Sequence, residues 1–487
     1  MNHSGHKPFQ PFLILFLCAS LLLLLSSSDH YLRSVNKDLK RFQLFSDIVN
    51  TKRYSPLAHS KSHLDFIQKD TSKFQVVKHD IDSLTIADFA GQQHIGMTHF
   101  FEALKNIKTK KKVRIAWFGD SMVEGDLITC DLRYMLQKRF GGSGVGIVPI
   151  TSITAGFRQT VQHTFSDNWT STSILAPTSG IDAPGITGFT FKPQPTKLDT
   201  TNIDNPTLSW VKYKGSRQRG LDQFIKAKLF YGTAEGQHQL HVNINNTQKM
   251  NVMLDGKKAV NTFELHPSIP FKEVKFTFIN QQKLPVYAVS LESDTGVIVD
   301  NLSFRGNSGL PLTRIPEQIL RGFDEVNQYD LIILQYGMNA VSPDVTDYSW
   351  YARGLDRTVK HIQKSFPNAA ILFVGVPDKG YKQDGQYITN PGVPYVVEAE
   401  KKVAENNGIA FWNLFEAMGG YNSMVKWADA DTSLANKDYT HFNFRGASKV
   451  ARLLFHEIDK EYKEYLKSNA SLKATLPSQK NADKPAS

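Results

Sequence analysis

The chain has 487 residues, 41% hydrophobic, 21% charged and 11% aromatic, which excludes a wholly disordered chain, a collagen-like repeat and a multi-span membrane protein. Its formal net charge of +11 favours anionic surroundings such as lipid headgroups or acidic cell-wall polymer. The charge is diffuse, however, and no stretch interleaves arginines with stacking aromatics, so no nucleic-acid partner is expected. Two cysteines exclude a disulfide scaffold and a cysteine-based zinc site.

The first element is FLILFLCASLLLLL at 12–25, behind a stretch whose only charged side chain is Lys7. A spanning helix needs about 20 apolar residues; this run has the length of a leader-peptide core, and Ser26 to Ser28 supply small residues for a cut after Ser28. Residues 1–28 therefore read as a cleavable signal peptide or an uncleaved membrane anchor. Either way the protein is expected to be exported to the periplasm or cell envelope. Cys18 lacks the small residues that precede a lipidated cysteine, and cleavage would leave Cys130 alone. Residues 29–110 form a polar extension ending in a basic run from Lys105 to Lys112, read as a solvated loop. His59 and His63 stand four apart but have no evident third ligand, so no metal site is expected.

From Val113 the texture changes. VRIAWF (113–118), LIILQYG (331–337), ILFVGVP (371–377) and IAFWNLF (409–415) are short continuous apolar runs, as in parallel strands covered on both faces. Amphipathic helices are predicted at 348–365, 394–406 and 444–466, which gives an α/β layer architecture. Residues 151–300 break that rhythm. Leu240, Val242 and Ile244, then Val274, Phe276 and Phe278, then Tyr287, Val289 and Leu291 alternate with period two, the pattern of an antiparallel β-sandwich. The predicted organisation is a first core part at 111–150, an inserted sandwich at 151–300, a second core part at 301–467 and an unstructured polar tail at 468–487. The glycine-rich run 141–146 lacks the Lys-Ser/Thr ending of a phosphate loop and reads as a turn.

Three places carry chemistry. Gly119-Asp120-Ser121 ends the first apolar strand and precedes a predicted helix from Met122. A serine at a strand-to-helix turn projects its hydroxyl from the carboxyl edge of a parallel sheet, and its own N–H, at the helix start, can face an oxyanion. Gly337-Met338-Asn339 puts a carboxamide donor at the same edge. Asp438-Tyr439-Thr440-His441 sets a carboxylate three residues before an imidazole, a spacing that lets the first orient the second as a general base. Asp378, at another strand end, is a loop acid near the same edge. Trp210, Tyr213, Phe230 and Tyr231 are aromatic enough to stack on sugars but read first as sandwich core.

In order and spacing these blocks resemble the SGNH (GDSL-type) hydrolase family, through Gly119-Asp120-Ser121, Gly337-Met338-Asn339 and Asp438 with His441. The resemblance covers roughly 113–460 and departs from the pattern at Ala340, where an acid is frequent, and at Phe442, where proline is common. It implies a three-layer fold with a mainly parallel sheet. It also implies a catalytic triad of Ser121, Asp438 and His441, and an oxyanion hole from Ser121, Gly306 and Asn339. The interruption after the first block, with Gly125-Asp126, Arg139 to Gly144 and His441-Phe442-Asn443, is similar to bacterial peptidoglycan O-acetylesterases and related acetyl-transfer enzymes. In these the inserted sandwich is similar to carbohydrate-binding modules. The implied activity is removal of O-acetyl groups from an acetylated cell-wall polysaccharide, without cofactor or metal. Transfer of the acetyl to a sugar hydroxyl, or glycan binding with vestigial esterase machinery, are the alternatives. Nothing in the sequence sets an oligomeric state.

Overall fold

The continuous apolar runs become the middle of one sheet. In a computed structural model of the chain its strands are β1 (Ala87–Asp88), β2 (Lys112–Gly119), β3 (Gly296–Ser303), β4 (Tyr329–Gln335), β5 (Ala370–Val374) and β6 (Ala410–Trp412). Their order is β1-β6-β5-β4-β2-β3. All neighbours are parallel except β1, which pairs antiparallel with β6. The structure describes residues 84–91, 94–176, 183–194, 208–279 and 284–475, all within the unit His79–Ser487. The apolar run 12–25, Lys7, Cys18, His59 and His63, and residues 476–487 lie outside them. Among the described residues no helix is long and apolar enough to cross a membrane.

Every residue of β4 and β5 is buried, because helices cover a parallel sheet on both faces. One group is Leu127–Phe140 packed against Phe444–Thr475; another is Glu317–Asn327, Ser349–Ser365 and Val393–Asn407. Ser349–Ser365 buries Tyr351, Leu355, Val359 and Ile362, an apolar stripe at helical spacing. Register then places the site: Ser303 of β3 and Gln335 of β4 both lie opposite Gly119 of β2. The three carboxyl ends finish level, so the loops that follow leave from one edge.

Apart from the hairpin Gly380–Gln383 and Gln386–Thr389, the remaining strands form two antiparallel sheets. One holds Val161–Phe165, Ser209–Gly215, Gln237–Ile244, Gln248–Asp255 and Glu273–Ile279. The other holds Gly144–Pro149, Trp169–Ser173, Phe189–Pro193, Lys226–Tyr231, Asn261–Leu265 and Val286–Glu292. Val211, Leu240 and Phe276 of the first share one core with Val148, Leu229 and Val289 of the second. The alternation predicted for 240–244 is observed. That predicted for 287–291 is not, since every residue of Val286–Glu292 is buried. Val289 and Leu291 face the antiparallel core while Tyr287 packs into the core around the parallel sheet.

Several predicted edges shift. Residues 144–149, assigned to the first core part, pair with Val286–Glu292, and 296–300, assigned to the insertion, belong to β3. Gly146 permits this close crossing, as a Cβ there would lie 2.3 Å from Asp300 Oδ1. The helix predicted from Met122 begins only at Leu127, because Gly125 and Asp126 have φ of 65° and 68°. The run 409–415 keeps only a short strand, since the Asn413 side chain accepts from Glu416 N–H and starts the helix Leu414–Met418. The final helix runs to Thr475, past the predicted end and into the predicted tail, because no glycine or proline interrupts 447–475. The basic run is not a loop. It spans the end of the helix Met97–Lys105, the short helix Ile107–Lys110 and the start of β2, with Lys112 2.7 Å from the buried Glu292.

Candidate active site

β2 ends at Gly119, where a Cβ would lie 2.3 Å from Val123 Cγ2. The chain then turns so that Asp120 points inward, 1% exposed, and Ser121 is left half-buried at the edge. Asp120 accepts from Met122 N–H at 2.9 Å and from Asn339 Nδ2 at 3.3 Å. Burial pushes its carboxyl up to about 7, opposed by the Met122 N–H and by the fields of His441 and Lys379.

Ser121 Oγ lies 2.9 Å from His441 Nε2. His441 Nδ1 lies 2.8 Å from Asp438 Oδ2, and the other carboxylate oxygen accepts the backbone N–H groups of Thr440 and His441 at 2.9 and 3.0 Å. This turn closes because Tyr439 takes a left-handed conformation with φ of 53°. Burial acts to raise the Asp438 carboxyl, but the hydrogen bonds from the His441 backbone and ring and from Thr440 hold it below its ordinary value. The structure thus brings together the three residues expected to form a triad, 320 positions apart at the widest.

Gly306 and Asn339 occupy the loops after β3 and β4. Gly306 is exposed with φ of 75°, and a Cβ built on it would come no nearer than 3.9 Å to Leu175. Asn339 Nδ2 donates to Asn307 O at 3.0 Å as well as to Asp120, so one carboxamide ties the ends of β2, β3 and β4 together. Gly337, with φ of 101°, admits no side chain: a Cβ would lie 2.3 Å from the buried Glu400 Oε1.

Other residues singled out in the sequence have structural work. Asp378 is buried and accepts from Lys379 N–H, Ser423 Oγ and Met424 N–H, holding the start of the helix Ser423–Asp429. Tyr213, Phe230 and Tyr231 are buried in the cores, as expected of core aromatics. Trp210 is half-buried beneath Lys275 Nζ, 4.4 Å from its ring centre. Cys130 is a free thiol, pushed up to about 12 by burial and by Asp126 and Asp131.

Sequence reasoning missed the groups that hold the triad. The hairpin Gly380–Gln383 and Gln386–Thr389 abuts the turn 438–441, with Tyr387 stacked on Tyr439 at 3.7 Å between ring centres. On the other side Phe157 stacks on Phe444 at 5.1 Å, closing over Gly125. The aromatic residue three places after His441 was the one available signal; its partner is distant in sequence. Asp120 was read only as part of a motif, since its burial arises from three converging loops.

Residues 280–449 match the model of the GDSL-like lipase/acylhydrolase family. A search of curated proteins finds no match to the sequence. Among solved structures, a peptidoglycan O-acetylesterase aligns at 20% identity over 78% of this chain and 99% of its own, with a TM-score of 0.61. An acetyl xylan esterase aligns at 20% identity over 33% and 80%, TM-score 0.26. A family two carbohydrate esterase from Clostridium thermocellum aligns at 9% identity over 58% and 99%, TM-score 0.26. The first of these likenesses shows the SGNH hydrolase fold that the sequence led us to expect. The family match begins after Ser121, because the antiparallel strands separate the first block from the others. Residues 280–449 are therefore similar to the GDSL-like lipase/acylhydrolase family, and β2 with its turn brings Ser121 to them in space.

Proposed function

We propose that the protein is an exported serine esterase that removes O-acetyl groups from a cell-wall polysaccharide, with peptidoglycan as the preferred substrate. The observation that carries this reading is the hydrogen-bonded series of Ser121 Oγ, the His441 ring and the Asp438 carboxylate, at 2.9 and 2.8 Å. His441 takes the proton of Ser121 as Oγ attacks the ester carbonyl, and Asp438 fixes the ring with Nδ1 protonated and steadies the imidazolium. His441 then returns the proton to the leaving sugar oxygen. Water, activated by the same imidazole, releases acetate from Ser121.

The developing oxyanion is stabilised by the N–H groups of Ser121 and Gly306 and by Asn339. The open surface at Gly306 leaves room for the ester there. Asn339 Nδ2 has two protons, one toward Asn307 O and one toward Asp120 at the longer 3.3 Å. The second is the one that turns to the oxyanion. Loss of one such donor costs about 10²–10³ in turnover.

The choice of polysaccharide draws on the solved peptidoglycan O-acetylesterase, whose fold this chain shares. We read the two antiparallel sheets as an inserted sandwich that presents glycan to the site. Export rests on the apolar run at 12–25. Acetate release from O-acetylated peptidoglycan tests the reading, against acetylated xylan as comparison. Ser121→Ala is expected to lower turnover by more than about 10⁴ while leaving the thermal midpoint in place; equal rates in mutant and wild type would overturn it.

A further inference from the structure

Beside the triad lies a cavity of about 300 Å³, at the lower end of the about 300–1,000 Å³ of ligand pockets. The triad does not line it. Its walls include Glu124 and Gly125, just past the nucleophile, and Ser303 to Arg305, which lead into Gly306. A substrate held at Ser121 therefore has this cavity as its neighbour.

One side is aromatic. The rings of Phe189 and Phe304 stack at 4.4 Å between centres and 12° between planes, and both line the cavity. At its rim the exposed Arg305 pairs with Glu124 at 2.5 Å, so those two charges cancel. Deeper in, they do not. Arg133 holds both oxygens of the buried Asp126, at 2.7 and 2.8 Å, and Thr160 Oγ1 also donates to that carboxylate at 2.6 Å.

Arg158, a second guanidinium 7% exposed, comes only within 3.4 Å of it and donates through Nε to Thr160 Oγ1 at 3.1 Å. One buried carboxylate thus faces two buried guanidiniums. Among the described residues Arg158 Nη2, the atom that approaches Asp126 at 3.4 Å, makes no hydrogen bond, and neither does Thr187 Oγ1, on a side chain whose residue is 6% exposed. Both residues line the cavity. Buried polar atoms without partners are uncommon because each forfeits its solvation, and here two stand at one cavity with positive charge in excess. Burial acts against the charged form of Arg158, the field of Asp126 opposes it and that of Arg133 adds to it, and the net shift is downward.

We infer that this cavity is a subsite for a carboxylate-bearing sugar in a glycan strand whose carboxylate is free rather than amide-linked to peptide, with its ring against Phe304 and Phe189 and its carboxylate on Arg158. A carboxylate supplies the missing counter-charge and the acceptor for Nη2, and ring hydroxyls reach Thr187. An apolar ring face on an aromatic side chain and a charge-assisted bond to a planar guanidinium are what such a sugar offers. The inference deepens the proposed function and rests on it for the placing of the ester at Ser121; binding at the cavity is separable from turnover.

The test uses the full chain carrying Ser121→Ala and two probes. One is the β-1,4 disaccharide of N-acetylglucosamine and N-acetylmuramic acid; the other is the same sugar with its carboxylate converted to the carboxamide. Calorimetry is expected to show the acid binding about tenfold or more tightly than the amide, and Arg158→Met in the same background is expected to bring the two to parity. Equal affinity of the Ser121→Ala protein for acid and amide would overturn the subsite, a result that needs no second variant to fold. An acid preference unchanged in Arg158→Met would also overturn it. The wild type is assayed in parallel for acetate release from O-acetylated peptidoglycan. No turnover, alongside a retained acid preference, would sink the esterase reading and leave the subsite standing.

Discussion

The two halves of the site are built differently. The Ser121 turn is anchored from below: Asp120 is 1% exposed and held by atoms from the loops after β2 and β4. The proposed general base sits on a turn that makes its own hydrogen bonds, with side-chain exposures of 34% for His441 and 47% for Asp438. One half is thus bound up with the stability of the core, the other with a local surface motif steadied by two aromatic contacts. A change on the surface half should lower activity and leave folding alone, whereas one in the buried half should register in both.

Substitution of the proposed base gives the largest expected effect. His441→Ala should lower turnover on an activated acetate ester by about 10⁴–10⁶, with a change in unfolding free energy within about 0.5 kcal/mol by denaturant titration. A large loss of stability would break the contrast, since it would make the base segment part of the core.

Asp120→Asn sharpens the contrast from the buried side. The folded carboxyl is pushed up to about 7 from an ordinary 3.8, so between those values the unfolded chain releases its proton first. The folded state then binds more protons, and stability falls as pH rises through that window. Asparagine has no such titration. Denaturant unfolding at pH 4 and pH 7.5 is expected to show the wild type losing ground to Asp120→Asn at the higher pH; parallel behaviour of the two would count against a strained buried acid.

The smallest expected effect tests the aromatic support of the surface turn. Tyr387→Ala removes the ring stacked on Tyr439, a contact of about 0.5–1.5 kcal/mol. Since Tyr439 lies between Asp438 and His441, the loss should appear as a few-fold fall in kcat with KM little changed, about 1 kcal/mol in the barrier. An unaltered kcat would mean the turn's own hydrogen bonds suffice.

Much of this was legible in the chain. The runs at 113–118, 331–337 and 371–377 announced buried parallel strands through unbroken apolarity, and the triad residues stood where such strands or a helix entrance put them. Legibility failed wherever an element served two neighbours. The strand 286–292 looked one-sided because its alternating residues are apolar, yet its other face closes the catalytic core. The helix after Ser121 looked continuous because a left-handed Asp126 leaves no mark in hydropathy. That conformation serves Arg133, two turns along the same helix, and Arg158, from a loop further on in the chain.

By itself the sequence determined the elements and the chemical groups, because apolar period and side-chain identity are local properties. It determined equally that Ser121, Asn339, Asp438 and His441 fall at element ends. Only the tertiary structure decided that β2, β3 and β4 end in register, that Asp120 is sealed beneath the nucleophile, and that Arg158 shares its counter-ion. Those depend on which surfaces exclude water from one another, and desolvation is a property of the assembled fold.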